Sequence, residues 1–162
     1  MASRNENSGA HDFNFFFGSW RVRHRQLKDR LAQCEQWLEF PGTATTQPLL
    51  GGLGNIDDNI LESPRGTYRA VTIRSFDPKT QRWAIWWLDG RNPHQFDVPM
   101  LGTFADGIGT FLADDNFDGK PIKVRFLWSR ITPQSCRWEQ AFSADGGHEW
   151  ETNWIMDFER TA

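Results

Sequence analysis

Cysteine, tyrosine, methionine and long apolar runs are all scarce in this chain of 162 residues, and each scarcity excludes something. Cys34 and Cys136 stand far apart and in no metal-ligand spacing. Neither a disulfide framework nor a zinc or other metal site is expected; two free thiols are, with one incidental disulfide as the alternative. No apolar run reaches the roughly 18 residues of a membrane-spanning helix. The opening MASRNENSGA lacks the apolar stretch of a signal peptide. The expectation is a cytoplasmic protein with a disordered tail at 1–10 and a single domain over 11–162. A basic excess is missing as well: the net charge is −3 and the pI about 5.8, which argues against a nucleic-acid partner. Arg21, Arg23 and Arg25 alternate along one probable strand and read as a solvated face. Phosphate-loop, dinucleotide, zinc-protease and serine-hydrolase fingerprints are absent, which removes the commonest nucleotide and hydrolytic chemistries.

What is present in excess is broad aromatic rings. Nine Trp and thirteen Phe accompany a single Tyr, in a chain whose hydrophobic share is only 38%. Rings in that number serve as large packing units or as the lining of a ligand cavity.

Alternation dominates the pattern. WRVRHRQ puts Trp20, Val22, His24 and Gln26 on one face, and IKVRFLW does the same for Ile122, Val124, Phe126 and Trp128. RWAIWWLD opposes Trp83, Ile85, Trp87 and Asp89 to Trp86 and its neighbours. ETNWIMDF sets Trp154, Met156 and Phe158 against Asn153, Ile155 and Asp157. Asp-Gly pairs and DPKT supply tight turns between the runs. Strands are expected over 18–27, 34–41, 56–61, 67–76, 82–89, 96–104, 109–114, 121–130, 135–143 and 150–160. The fold class is therefore all-β, an antiparallel up-and-down barrel of about nine or ten strands, with a two-sheet sandwich as the alternative. Ahead of it, Asp12 is expected to cap a short helical plug carrying Phe13, Phe16 and Phe17.

That plug, followed by Gly18-Ser19-Trp20 at the opening of the first strand, resembles the start of calycin barrels, the group of lipocalins and fatty-acid binders. The resemblance implies a Trp closing one barrel end with a basic residue of the last strand, here Arg160, lying across it. The stretch GTYRAVTIRSFDPKTQRWAIWWLDG, after the Gly51-Gly52 turn, looks like an uncharacterised bacterial family labelled a domain of unknown function. A calycin-like fold and a cavity are what that likeness implies, with no assigned reaction.

Several constellations bear on chemistry. SADGGHEW fits the Asp-box of sugar-cleaving propellers, yet a single copy in a chain this short reads as a hairpin turn built by Asp145, Gly146 and Gly147. DDNFDG matches half of a calcium loop, but Arg125 stands where a bidentate Glu belongs, so a turn is again expected. In WWLDGRNPHQFD, Trp86 and Trp87 lead into Asp89, Arg91 and His94. Arg91 could fork a ligand carboxylate and His94 shuttle a proton, unless Asp89 and Arg91 simply pair at the surface. His24 shares the face of Trp20 and is either a hydrogen-bonded core residue or a functional one; a haem ligand is its remotest role. Arg125, Glu139 and Asn153 form a polar cavity floor if their rows point inward, and surface groups if Trp138 and Trp154 do.

The expected function is binding of a small, partly apolar, acidic ligand, with Trp86, Trp87, Arg91, Arg125, Glu139 and Asn153 as contacts and no cofactor. The alternative is a cofactor-free enzyme, an isomerase, cyclase or lyase using His94, His24 or Asp89. A barrel filled by its own rings, without a cavity, is the third reading. A small-molecule ligand is the expected partner, with neither nucleic acid nor membrane, and a homodimer is left open.

Overall fold

In the computed structural model, residues 8–162 are described. The strands are β1 (Gly18–Leu27), β2 (Trp37–Leu49), β3 (Gly54–Ser63), β4 (Gly66–Asp77) and β5 (Arg82–Asp89). They continue as β6 (Met100–Ala105), β7 (Ile108–Phe117), β8 (Lys120–Ser129), β9 (Ser135–Ser143) and β10 (Glu151–Arg160). Each pairs antiparallel with its sequence neighbours, and β10 returns to β1, so the sheet is a closed up-and-down barrel. Registers from Trp20 opposite Arg160 to Gln26 opposite Trp154 seal the closure.

Turn chemistry explains the meander. Asp106-Gly107 and Asp118-Gly119 both carry positive φ at their two central positions, the twist that a tight hairpin needs. The half calcium loop is the second of these, and Lys123 reaches back to Asp114 at 2.8 Å across it.

Two strands depart from expectation. β2 was expected at 34–41 and instead runs over Trp37–Leu49, through Pro41 and Pro48. Pro41 is opposite Arg23 of β1 but lies before the β3 pairing begins. Pro48 is opposite Asn55 of β3 but beyond the last β1 pair. Each proline thus stands where one flank needs no N–H donor. β6, expected at 96–104, starts only at Met100 and holds β5 through three opposed pairs.

The plug is two short 3-10 turns, Ser8–His11 and Asn14–Phe16. Asp12 does not cap it: Phe13 precedes the second turn and makes no side-chain cap bond. Of the expected tail, residues 1–7 lie outside the described residues, while Ala10 is buried and Trp83 Nε1 donates to Gly9 O at 3.1 Å. Phe13 and Phe16 are buried as expected, and Phe15 joins the core rather than Phe17. Phe13 meets Trp83 and Phe104 edge-on at 4.9 and 4.8 Å, and Phe16 meets Trp128 and Phe158 at 4.9 and 5.0 Å. Each buried Phe contributes about 1.5–3 kcal/mol by leaving water, with roughly 0.5–1.5 more per well-formed ring pair. Over this end Arg160 stacks on Trp20 at 4.2 Å and donates to the carbonyls of Phe15, Phe17 and Pro133. No helix among the described residues is long and apolar enough to cross a membrane.

Candidate functional site

With the plug closing one end, the other end is ringed by the β1–β2, β3–β4, β5–β6, β7–β8 and β9–β10 connections. Between them lies a cavity of about 600 Å³, within the range of small-molecule sites. Its two sides differ in chemistry.

One side is aromatic. The inward rows of β8, β9 and β10 supply Phe126, Trp128, Trp138, Phe142, Trp154, Met156 and Phe158, and β5 adds Trp87. Trp154 stands edge-on to Trp138 at 5.2 Å and to Trp87 at 5.8 Å, while Phe126 meets Trp138 at 4.8 Å. This is the orientation in which the apolar rows point in, so Arg125 and Glu139 take the outer face. Arg125 lies 4.5 Å over the ring of Trp150, pinned beneath the last hairpin, and neither residue lines the cavity. Asn153 is the extra residue of a bulge in β10. It is fully buried and accepts from Gln140 Nε2 at 2.9 Å, so it steadies a cavity residue without lining the cavity.

The facing side is polar. On β3 the alternation is inverted: Asn55, Asp57 and Asn59 point in, while Ile56 and Ile60 are only half-buried. β4 opposes them with Thr72 and Arg74. Arg74 donates to Asp57 at 2.7 Å and to Asn55 at 2.9 Å, and its guanidinium is 5.1–5.4 Å from the rings of Phe13, Phe16 and Trp128. Asp57 further accepts from Thr72 N at 3.2 Å and from Asn59 Nδ2. The pair is thus hydrogen-bonded on both sides, the condition under which buried charge is tolerated. Sequence reasoning passed over this row because it sought apolar faces; polar residues at 55, 57 and 59, with Ile56 and Ile60 on the opposite face, were the signal.

At the rim, Asp89 and Arg91 are paired through three bonds of 2.8–3.0 Å, from the Arg91 backbone N, Nε and Nη2. Burial opposes the Asp89 charge, but the Arg91 hydrogen bonds outweigh it and hold the carboxyl below its ordinary value. Arg91 also lies 3.5 Å over the ring of Tyr68, whose hydroxyl burial pushes up. Asp97 lines the cavity too, its carboxyl raised by burial and by the charges of Asp115 and Asp89.

Of the other expected groups, Trp86 points to the opposite face from Trp87, and His94 is exposed in the β5–β6 loop; neither lines the cavity. His24 is sealed in the core. It stacks on Phe40 at 4.7 Å, and Trp154 Nε1 donates to its Nδ1 at 3.1 Å. Burial lowers its pKa to about 4, so the ring is neutral near pH 7, with its remaining proton on Nε2. Arg30, Arg65, Tyr68 and Asp97, none of them expected, line the mouth.

The fold is shared with a solved structure. An S-type phycobiliprotein lyase from Guillardia theta is similar over 100% of this chain and 98% of its own, with a TM-score of 0.59 at 13% identity. A de novo designed fluorescence-activating β-barrel aligns over 91% of this chain and 95% of its own, with a TM-score of 0.49 and 13% identity. No protein-family model matches the chain, and no curated protein matches it. The first likeness and the ten-stranded closure fit a calycin-like barrel.

Proposed function

We propose that this barrel binds one small, partly apolar, acidic molecule, in the cytoplasm and as one of the uncharacterised bacterial family its middle segment resembles. One observation carries the reading: a cavity of about 600 Å³ with an aromatic wall facing a hydrogen-bonding one. A flat conjugated body lies against Trp87, Trp138 and Trp154, where ring contacts stabilise it without ordering flexible side chains. Its polar edge meets Asn59 and Thr72 across the cavity. The Asp57–Arg74 pair keeps that polar wall rigid, because each partner's hydrogen bonds fix the other's rotamer.

Tryptophan fluorescence tests this directly. Titration with a panel of aromatic and fatty acids should give saturable quenching by at least one class. A flat response to every class overturns the proposal.

A second reading, proton transfer without a cofactor, is favoured by Asp97, a cavity-lining carboxyl with raised affinity for its proton. In that reading Asp97 replaces His94 and His24 as the acid–base group. A bound ketone losing its α-protons in D2O with the native protein, but not with Asp97→Asn, supports it. Equal exchange by both proteins removes it.

A further inference from the structure

We infer that the ligand's acidic group is received on one side of the rim by Arg30, with Arg65 and the Tyr68 hydroxyl beside it, and that Arg91 is a positioning residue. This rests on the cavity reading above and names the group that reads the ligand's charge.

Arg91 looks at first like the carboxylate fork, but its Nε and Nη2 are already given to Asp89. What it does instead is lie flat on Tyr68 at 3.5 Å and fix the phenol at the mouth.

Arg30 is in the opposite condition. Among the described residues no ion pair and no hydrogen bond engages its guanidinium. The carbon of that group stands 5.5 Å from the ring of Phe142, an inner-wall residue, so the charge enters the mouth instead of leaving for solvent. Glu151, the neighbouring carboxylate, is spent on the backbone N of Leu31 at 2.8 Å. Burial and the like charges of Arg65 and Arg91 weaken Arg30's hold on its proton. A partly desolvated cation among cations, with its donors free, is stabilised by an anion placed between them.

The neighbouring groups complete the receptor. The β1–β2 loop, the β3–β4 turn and the first residues of β4 lie side by side on the rim and carry Arg30, Arg65 and Tyr68. Arg65 is tethered by one bond, Nη2 to Lys28 O at 3.2 Å, which aims it while leaving other donors open. Asp29 shares this part of the rim but is exposed and engages none of these cations in an ion pair. Asp97 and Asp115 stand elsewhere on the mouth and repel an anion from their side. The charge pattern therefore orients the ligand, acid towards β1–β4. Carboxylate, sulfonate and phosphate all offer the oxygens such a fork takes.

Two matched probes separate this inference from the cavity reading. 8-Anilinonaphthalene-1-sulfonate and the neutral N-phenyl-1-naphthylamine share one ring body and differ by the sulfonate. The native protein should bind the sulfonate about tenfold tighter or more. Arg30→Gln should bring the two probes close to parity while the neutral probe keeps its affinity, and Arg65→Gln, an exposed turn residue, should reduce the preference without disturbing the near-ultraviolet circular dichroism. Equal binding of both probes by the native protein, or a preference that survives both substitutions, overturns the rim assignment. In those cases binding of the neutral probe leaves the cavity reading standing. Binding of neither probe overturns both.

Discussion

Trp154 donates its indole N–H to Nδ1 of His24 across 3.1 Å, joining the last strand to the first inside the barrel wall. The bond requires an unprotonated Nδ1, and the pKa of about 4 against an ordinary 6.5 means that the folded ring refuses a proton the unfolded chain accepts. Stability is therefore full above pH 6.5, falls as pH drops through that value, and levels off below about 4. The loss amounts to about 3 kcal/mol. Urea unfolding of the native protein at pH 7 and at pH 4.5 should show the drop, and His24→Phe should flatten that part of the profile.

The Asp57–Arg74 pair is buried on both sides, with side-chain exposures of 3% and 4%. Arg74→Met strands a carboxylate and should destabilise by about 3–5 kcal/mol. Adding Asp57→Asn to the same chain should return a good part of that loss, because no charge is then left without its partner. Urea midpoints of the single and double variants decide it.

Asp145 accepts the backbone N–H groups of His148 and Glu149 at 3.0 and 2.9 Å, while Ser143 Oγ accepts that of Gly147 at 2.9 Å. The Glu149 N–H foremost, then the Ser143 hydroxyl at 2.8 Å and the His148 N–H, hold the Asp145 carboxyl below its ordinary value. Trp150 closes the loop onto Gly147 O at 3.1 Å. Asp145→Ala should lower the melting temperature and leave probe affinity unchanged. Lost binding at an unchanged melting temperature would move the site to this hairpin.

Burial pushes the Cys136 thiol up to about 12, whereas Cys34 is partly exposed in the β1–β2 loop. A disulfide-exchange reagent at pH 8 should modify Cys34 alone in the folded protein and both thiols in urea. Two fast equivalents from the folded state would contradict the burial of Cys136.

Periodicity, with turn residues between the runs, made most strands legible, because in a closed barrel most residues alternate between wall and solvent. The longer β2 was hidden by Pro41 and Pro48, since which flank of a proline goes unpaired depends on neighbouring strands far away in sequence. Alternation grouped Trp138 with its neighbours on one face and Trp154, Met156 and Phe158 on another strand's face, but left open whether those rows or the rows of Arg125, Glu139 and Asn153 point inward. The polar wall was not legible, because Asn55, Asp57 and Asn59 invert the rule that apolar rows face inward, and only closure turns β3 towards the cavity. His94 and Trp86 attracted notice through proximity in sequence to Asp89 and Arg91. Proximity along a strand tip does not fix direction: Trp86 takes the outer face, and His94 sits out on the loop. The rim groups Arg30 and Arg65 lie in connections without periodicity, where no pattern could aim them.

Closure through β1 and β10 also fixes an order of events during synthesis. β1 and the Phe13–Phe16 plug leave the ribosome ahead of the other barrel strands, yet the plug's partners Trp128 and Phe158 belong to β8 and β10, the latter made after the other nine. Until then β1 keeps an open edge and the plug lacks the Phe158 side of its seat. The nascent chain thus carries its stickiest surface for most of translation, the condition under which chaperones are recruited. For the same reason a copy cut short before β10 is expected to aggregate rather than persist as a smaller barrel.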